Sequence, residues 1–125
     1  MTSITVTLPW PPAECSPNSR AHWAKRSNIA QQAHDWAYWA TELQNYYTYS
    51  RLVFEESIQA HYEFQRPDKR KRDLDNFVAR CKPYLDGICK RAGIDDSQIK
   101  HTVAEWGDKH PGGQVVITLE TMDDE

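Results

Sequence analysis

The sequence predicts an α/β fold of the two-layer α+β kind, a mixed sheet in the order β-α-β-α-β-β with two helices on one face. Three observations predict it. Two short segments alternate apolar and polar residues with a period of two, and two more read as strands. One long stretch free of Gly and Pro carries apolar residues at helical spacing. A second stretch opens on helix-capping residues and closes on a glycine. At 125 residues, with 39% hydrophobic and 26% charged residues, the chain suits a single globular domain over 1–125.

The elements run in order. In "SITVTL", Ile4, Val6 and Leu8 alternate with Thr5 and Thr7, the signature of a half-buried strand. "PWPP" ends it, because proline supplies no ladder donor. After the turn-rich loop "AECSPNSR", a helix runs from about Trp23 to Asn45, with Ala33, Trp36, Ala37, Ala40 and Leu43 on one face. Trp36 and Trp39 are expected in the core or at a dimer contact, and Trp10 in packing at the proline turn.

"SIQAHYEF" reads as a second strand, with Ile58, Ala60, Tyr62 and Phe64 facing the core. The basic loop "RPDKRK" comes next. A second helix should start near Asp75 or Asn76 and end at Gly93, kinked or divided by Pro83. "QIKHTVAEW" and "QVVITLET" are two more strands, expected to form a hairpin across "GDKHPGG". Residues 121–125 are expected to form a frayed tail.

Several function classes fall away. Cys15, Cys81 and Cys89 form no CxxC pair, and the five histidines have no metal-ligand spacing, so neither set is assigned chemistry. No apolar run reaches membrane-span length, and "MTSITVTLPW" lacks the parts of a signal peptide; a cytoplasmic location is expected. The net charge of −3 argues against a polyanion partner until its distribution is considered. Residues 66–91 hold nine Lys or Arg against four acids, and residues 15–26 add Arg20, Lys25 and Arg26 without an acid. Two windows therefore hold 12 of the 15 cations, which is the footprint of a polyanion binder, although helices and loops also cluster Lys and Arg merely for solubility.

The densest of these cations, Lys69, Arg70, Lys71 and Arg72, run directly into Asp73 and Asp75. Magnesium is commonly held by one or two carboxylates plus substrate phosphates, which such a pair could supply. An Asp-x-Asp before a helix can equally serve as a cap at the positive end of the helix dipole. "GIDDSQI" adds Asp95 and Asp96 ahead of the third strand, where a turn is the competing reading. In an unbroken helix Asp75, Lys82 and Asp86 share a stripe, and a lysine beside such a site could neutralise charge developing on a phosphate.

At "RDLDN" the chain resembles the RusA family of Holliday junction resolvases, small phage- or prophage-borne endonucleases of bacterial cells. "ITVTLPWPP" is similar to the family's opening strand and proline turn, "SPNSRAHW" to its Asn-Arg loop, and "RPDKRKRDLDN" to its basic loop and acids. "KPYLDGICKRAGI" and "DDSQI" are similar to its helix and third-acid segment. The resemblance implies Asp73, Asp75 and Asp96 as metal-binding, catalytic carboxylates, with Asp95 the adjacent alternative to Asp96. The family's catalytic lysine lies four residues after the second Asp, where this chain has Ala79; Lys82 is the best match and Arg80 the second choice.

The same resemblance implies a magnesium-dependent endonuclease (manganese as the alternative metal) that resolves four-way DNA junctions by paired nicks. It also implies a homodimer, as suits a junction with approximate two-fold symmetry. Lys69, Arg70, Lys71, Arg72, Arg20, Asn18, Lys25, Arg26 and Arg80 are the expected DNA contacts, and Trp23 is an aromatic that could stack on an unpaired base. Two alternatives stay open: a nuclease of the same fold preferring flaps or single strands, and a non-catalytic binder of branched DNA, favoured by Ala79.

Overall fold

The computed structural model describes residues 3–45 and 51–122. Its elements are β1 (Ser3–Pro9), α1 (Trp23–Gln44), β2 (Ile58–Gln65), α2 (Leu74–Arg80), α3 (Lys82–Ala92), β3 (Ile99–Trp106) and β4 (Gln114–Thr121). The sheet order is β1-β4-β2-β3, with β4 antiparallel to both neighbours and β2 parallel to β3. Parallel strands need a crossover, and α2 with α3 supplies it. No described helix is long and apolar enough to cross a membrane.

The alternation predicted from sequence is the burial pattern. Ile4, Val6 and Leu8 of β1, Ile58, Ala60, Tyr62 and Phe64 of β2, and Val115, Ile117 and Leu119 of β4 all face the helices and are buried. The opposite face carries Thr5, Thr7, Gln59, His61, Glu63 and Thr118, none of them buried. Helices therefore cover one side of the sheet only.

Four expectations need correction. The two last strands form no hairpin: after β3 the chain passes β2 and inserts β4 between β1 and β2. Their composition explains this, because β4 buries three branched aliphatics while β3 exposes Lys100, His101, Thr102 and Val103, as suits an edge. The second helix starts at Leu74, with Asp73 rather than Asp75 or Asn76 as its cap. The tail is ordered further than expected, since Thr121 ends β4 and the Met122 N–H donates to the Ser57 carbonyl at 3.0 Å. Residues 123–125 of that tail lie outside the described residues.

The fourth correction concerns α1. Its buried row is Ala33, Ala37, Ala40 and Thr41, while Trp36, Trp39 and Leu43 stand on its exposed flank. Close packing on α3 is the reason. A Cβ on Gly87 of α3 would lie 2.2 Å from the His34 carbonyl oxygen and 3.1 Å from the Ala37 Cβ, so the two helices meet where neither has bulk. Indoles cannot enter that seam.

Pro83 divides the predicted helix as expected. It occupies the first turn of α3, where a missing N–H costs nothing, and Cys81 serves as last cap of α2 and first cap of α3. Gly93 closes α3 at φ 75°, with the Ile94 N–H donating to the Cys89 carbonyl at 2.9 Å. The free edge of β1 is not left bare. The Gln44 side chain accepts from the Thr7 N–H at 2.7 Å and donates to its carbonyl at 3.0 Å, and Asn45 donates to the Thr5 carbonyl at 3.1 Å. The last turn of α1 thus pairs with the strand through amide side chains.

Candidate functional site

The proline turn after β1 and the basic loop after β2 end on the same side of α2. Between them lies an open cleft of about 720 Å³, lined by Trp10, Ser16, Asn18, Arg70, Arg72, Asp73, Asn76, Phe77 and Arg80 among others. Sequence distance between these residues is large; the sheet register brings them together.

The basic loop is built around one ion pair. Arg72 Nη1 donates to Asp68 Oδ1 at 2.9 Å and to the Arg70 carbonyl at 3.2 Å, while Asp68 also accepts from the Arg70 N–H at 2.9 Å. The Arg72 side chain is only 12% exposed and its guanidinium lies 5.5 Å from the centroid of the Trp10 ring. Arg72 thus shapes the loop from within, leaving Lys69, Arg70 and Lys71 outermost. The Asp68 carboxyl is held below its ordinary value, first by the hydrogen bond from Arg72 and then by the Arg70 N–H.

The opposite wall is tied to α2 through Ser16 and Asn76. Ser16 Oγ accepts from Asn76 Nδ2 at 3.0 Å and from the Asn18 N–H at 3.2 Å. Asn76 Oδ1 accepts from Arg80 Nε at 3.1 Å, and the Arg80 guanidinium lies 4.2 Å from the centroid of the Phe77 ring. Burial and then the neighbouring charge of Arg72 pull Arg80 below its ordinary pKa. Two aromatic rings thus hold two guanidinium groups against the cleft. Trp10 and Phe77 themselves meet at 4.8 Å between centroids.

A second groove of about 360 Å³ lies alongside, lined by Cys15, Trp23, Arg26, Ala79, Lys82 and Pro83 among others. Trp23 is 74% exposed there. Arg26 donates to the Glu14 and Ser16 carbonyls, each at 3.4 Å, and Lys25 lies 3.8 Å from Glu14, so both help to hold the loop. Arg20 is exposed and lines neither space.

The acids fall into two settings. Asp73 caps α2 by accepting from the Asp75 N–H at 3.0 Å. Asp75 is exposed in the first turn of α2, and no partner for its carboxylate is found among the described residues. At the far end of α3, Asp95 accepts from the Ser97 N–H at 2.9 Å, which lowers its pKa, and its own N–H donates to Gln98 Oε1 at 2.8 Å. That leaves Asp96 as the acid facing Lys82, whose Nζ lies 2.8 Å from Asp86 Oδ1 and 3.5 Å from Asp96 Oδ2. The stripe expected of an unbroken helix is interrupted at Cys81, so Asp75 stands on α2 while Lys82 and Asp86 share α3.

Among the described residues, no three His, Cys, Asp or Glu side chains converge closely enough to hold a metal ion as they stand. The donors themselves suit a hard divalent cation, being carboxylates only, exposed and flanked by room for phosphate and water. Burial raises the Cys81 thiol and pushes that of Cys89 up to about 12.

Ser16, Asn76, Trp10 and Phe77 were not foreseen as site residues. In the sequence Asn76 looks like a cap and Phe77 like core; only the fold shows them supporting arginines. Gln98 was likewise hidden: its Nε2 donates to the carbonyls of Leu52, Val53 and Glu55, pinning the 3-10 turn before β2 to the segment with Asp96.

A two-layer fold with a cationic, aromatic-backed cleft beside exposed carboxylates defines a protein built to act on a phosphodiester backbone. The family model for endodeoxyribonuclease RusA matches residues 9–120. Crossover junction endodeoxyribonuclease RusA of Escherichia coli (strain K12) is 30% identical over the full length of both chains. An uncharacterized protein of Xylella fastidiosa (strain Temecula1) is 39% identical over 116 residues, covering 92% of this chain and 74% of that one. The chain belongs to the RusA family of endodeoxyribonucleases.

Proposed function

We propose that this endodeoxyribonuclease resolves four-way DNA junctions, cutting paired strands with the help of magnesium or manganese, as one domain of a homodimer. One observation carries the reading. The cleft that gathers Asn18, Arg70, Arg72 and Arg80 opens at the mouth of the helix that Asp73 caps and whose first turn carries the exposed Asp75.

In this reading Arg70 and Arg80 hold backbone phosphates, with Lys69 and Lys71 extending the contact along the strand. Arg26 lines the groove that continues toward Trp23, and Arg20 and Lys25 would add exposed positive charge outside it. Arg72 acts through the loop it fixes, and Asn18 offers an amide to phosphate or sugar. Asp73, Asp75 and Asp96 are the carboxylates that would hold the metal, which supplies an activated water and charge neutralisation when bound. Asp73 would have to release its cap, and Asp96 to share Lys82. Lys82, already held by Asp86, presents its ammonium where negative charge develops on the phosphate.

The test compares an end-labelled four-way junction with a linear duplex of the same sequence, with magnesium and with chelator. Symmetric nicks in the junction alone, dependent on metal, are expected. Asp75→Asn should abolish cleavage while junction binding persists or tightens. Equal cutting of linear duplex would refute junction selectivity, and cutting by Asp75→Asn at the wild-type rate would refute the carboxylate assignment.

A further inference from the structure

We infer that the groove beside the cleft, with Trp23 on one side and Ala79 and Pro83 on the other, receives one unpaired base of the DNA strand. The inference rests on the reading above in which Lys82 meets the phosphate, and it adds a seat for the neighbouring base.

Local structure builds the platform. Trp23 opens α1 and His22 caps it, accepting from the Ala24 N–H through Nδ1 at 3.2 Å. The cap holds the His22 ring 5.6 Å from the Trp23 ring, with 34° between their planes. A lone exposed tryptophan is common on protein surfaces and by itself signifies nothing. This one, 74% exposed, borders a groove whose surfaces and charges match a nucleotide.

Trp23, Arg26, Ser27 and Ala30 recur at three- and four-residue steps, so they present one face of α1 to the groove. Across from them stand Ala79 and Pro83, where α2 ends and α3 begins. Ala30, Ala79 and Pro83 carry no polar side-chain atom, as contact with the face of a base requires. Two cations flank this apolar floor: Lys82, and Arg26 fixed by the Glu14 and Ser16 carbonyls, each at 3.4 Å. Glu14, the one acid among the lining residues, lies 3.8 Å from Lys25.

These features select the occupant. An apolar peptide would leave both cations unmatched, and a phosphate alone would leave the indole uncovered. A nucleotide satisfies both, with its base on the ring and its phosphates on the cations, as single strands do on proteins. The groove of about 360 Å³ takes one base with its sugar but not a base pair, so the base must have left its duplex. Ala79 keeps that space open, since its side chain is a single exposed methyl group.

The groove also continues the cleft. Ser16 lines the cleft, and its carbonyl holds Arg26, which lines the groove. A strand laid through the cleft turns its base toward Trp23 while the adjoining phosphate meets Lys82, 3.5 Å from Asp96. Unstacking costs least where pairing is already interrupted, as at a branch point, whereas a linear duplex must first unpair. The groove therefore favours branched over linear DNA.

The experiment is an anisotropy titration, in chelator to prevent cleavage, with two labelled probes of equal charge: a short thymidine strand, and a strand of the same length made only of abasic deoxyribose phosphates. Wild type, Trp23→Ala, Trp23→Phe and Ala79→Leu are compared, each with a salt series and a thermal melt. Wild type is expected to bind the thymidine strand about fivefold tighter or more. Trp23→Ala and Ala79→Leu should lose that preference and Trp23→Phe keep part of it, with affinity for the abasic strand and the salt slope unchanged in all. Equal wild-type affinity for the two strands overturns the groove, as does a preference that survives both Trp23→Ala and Ala79→Leu. An equal fall for both strands in Trp23→Ala also overturns it, by reducing Trp23 to a structural role. Magnesium-dependent cleavage of a four-way junction by the wild type, measured in parallel, tests the nuclease reading separately: cleavage without a base preference sinks the groove alone.

Discussion

Gly87→Ala is the substitution whose outcome the structure constrains most tightly. Two effects oppose each other. Alanine is the better helix former, by up to about 1 kcal/mol. Its methyl group, however, would stand 2.2 Å from the His34 carbonyl oxygen, a backbone atom with no rotamer to yield. Relief requires α1 and α3 to separate by about an ångström along a seam made of alanines. Overpacking of this kind costs typically about 1–3 kcal/mol, and a rigid neighbour puts Gly87 at or above the top of that range. We expect a net loss of about 2 kcal/mol, or roughly 6–10 °C in Tm for a chain of this length. The assay is urea unfolding followed by far-UV circular dichroism, with an unchanged m-value marking a true stability change. Gly112→Ala is the control: its φ is 76°, yet nothing lies within 4 Å of the added Cβ, so only local backbone strain of about 1–2 kcal/mol is at stake. A Gly87→Ala protein as stable as the wild type, or more so, would refute the close helix contact.

Three more outcomes concern the site. Lys82→Ala should slow junction cleavage on the order of 10²-fold with the junction dissociation constant little changed; equal losses in binding and rate would reassign Lys82 to DNA contact. Arg70→Ala should lower the slope of log binding constant against log salt by about one, with no effect on the unfolding midpoint. Asp68 has a lowered pKa, so its contribution to loop order is complete above the ordinary aspartate value near 4 and is lost as pH falls through the lowered one. Titration of its side-chain carbon resonance should show this, and Arg72→Ala should raise the midpoint toward the ordinary value, the Arg70 N–H still holding it somewhat low, while exposing residues 66–72 to protease.

The parts visible in the sequence were those set by local pattern. Ile4, Val6 and Leu8, or Ile58 to Phe64, declare their buried face through a period of two, and Pro83 announces the break between α2 and α3 through its missing donor. Pairing order was not visible. "GDKHPGG" has the composition of a hairpin turn, but whether β4 lies beside β3 or beyond β2 depends on which strand can be spared to the edge, a comparison between distant segments. Periodicity also placed Trp36 and Leu43 with the alanines, because a wide arc satisfies the pattern while the narrow seam opposite Gly87 admits only small side chains.

At the proposed site, residue type and charge density drew attention to Asp73, Asp75 and the basic loop. The division of labour among the cations was hidden. Nothing in "KRKR" distinguishes Arg72, turned inward onto Trp10 and Asp68, from Arg70, which borders the cleft; that difference arises from a tryptophan some sixty residues earlier.

The position of β4 also imposes an order of events on synthesis. It is the last described strand to leave the ribosome, yet it joins β1 to β2 at the middle of the sheet. Until it arrives, the first hundred or so residues carry two apolar strand rows with unpaired inner edges. A chain that ends before Gln114 is therefore expected to aggregate rather than to be partly active.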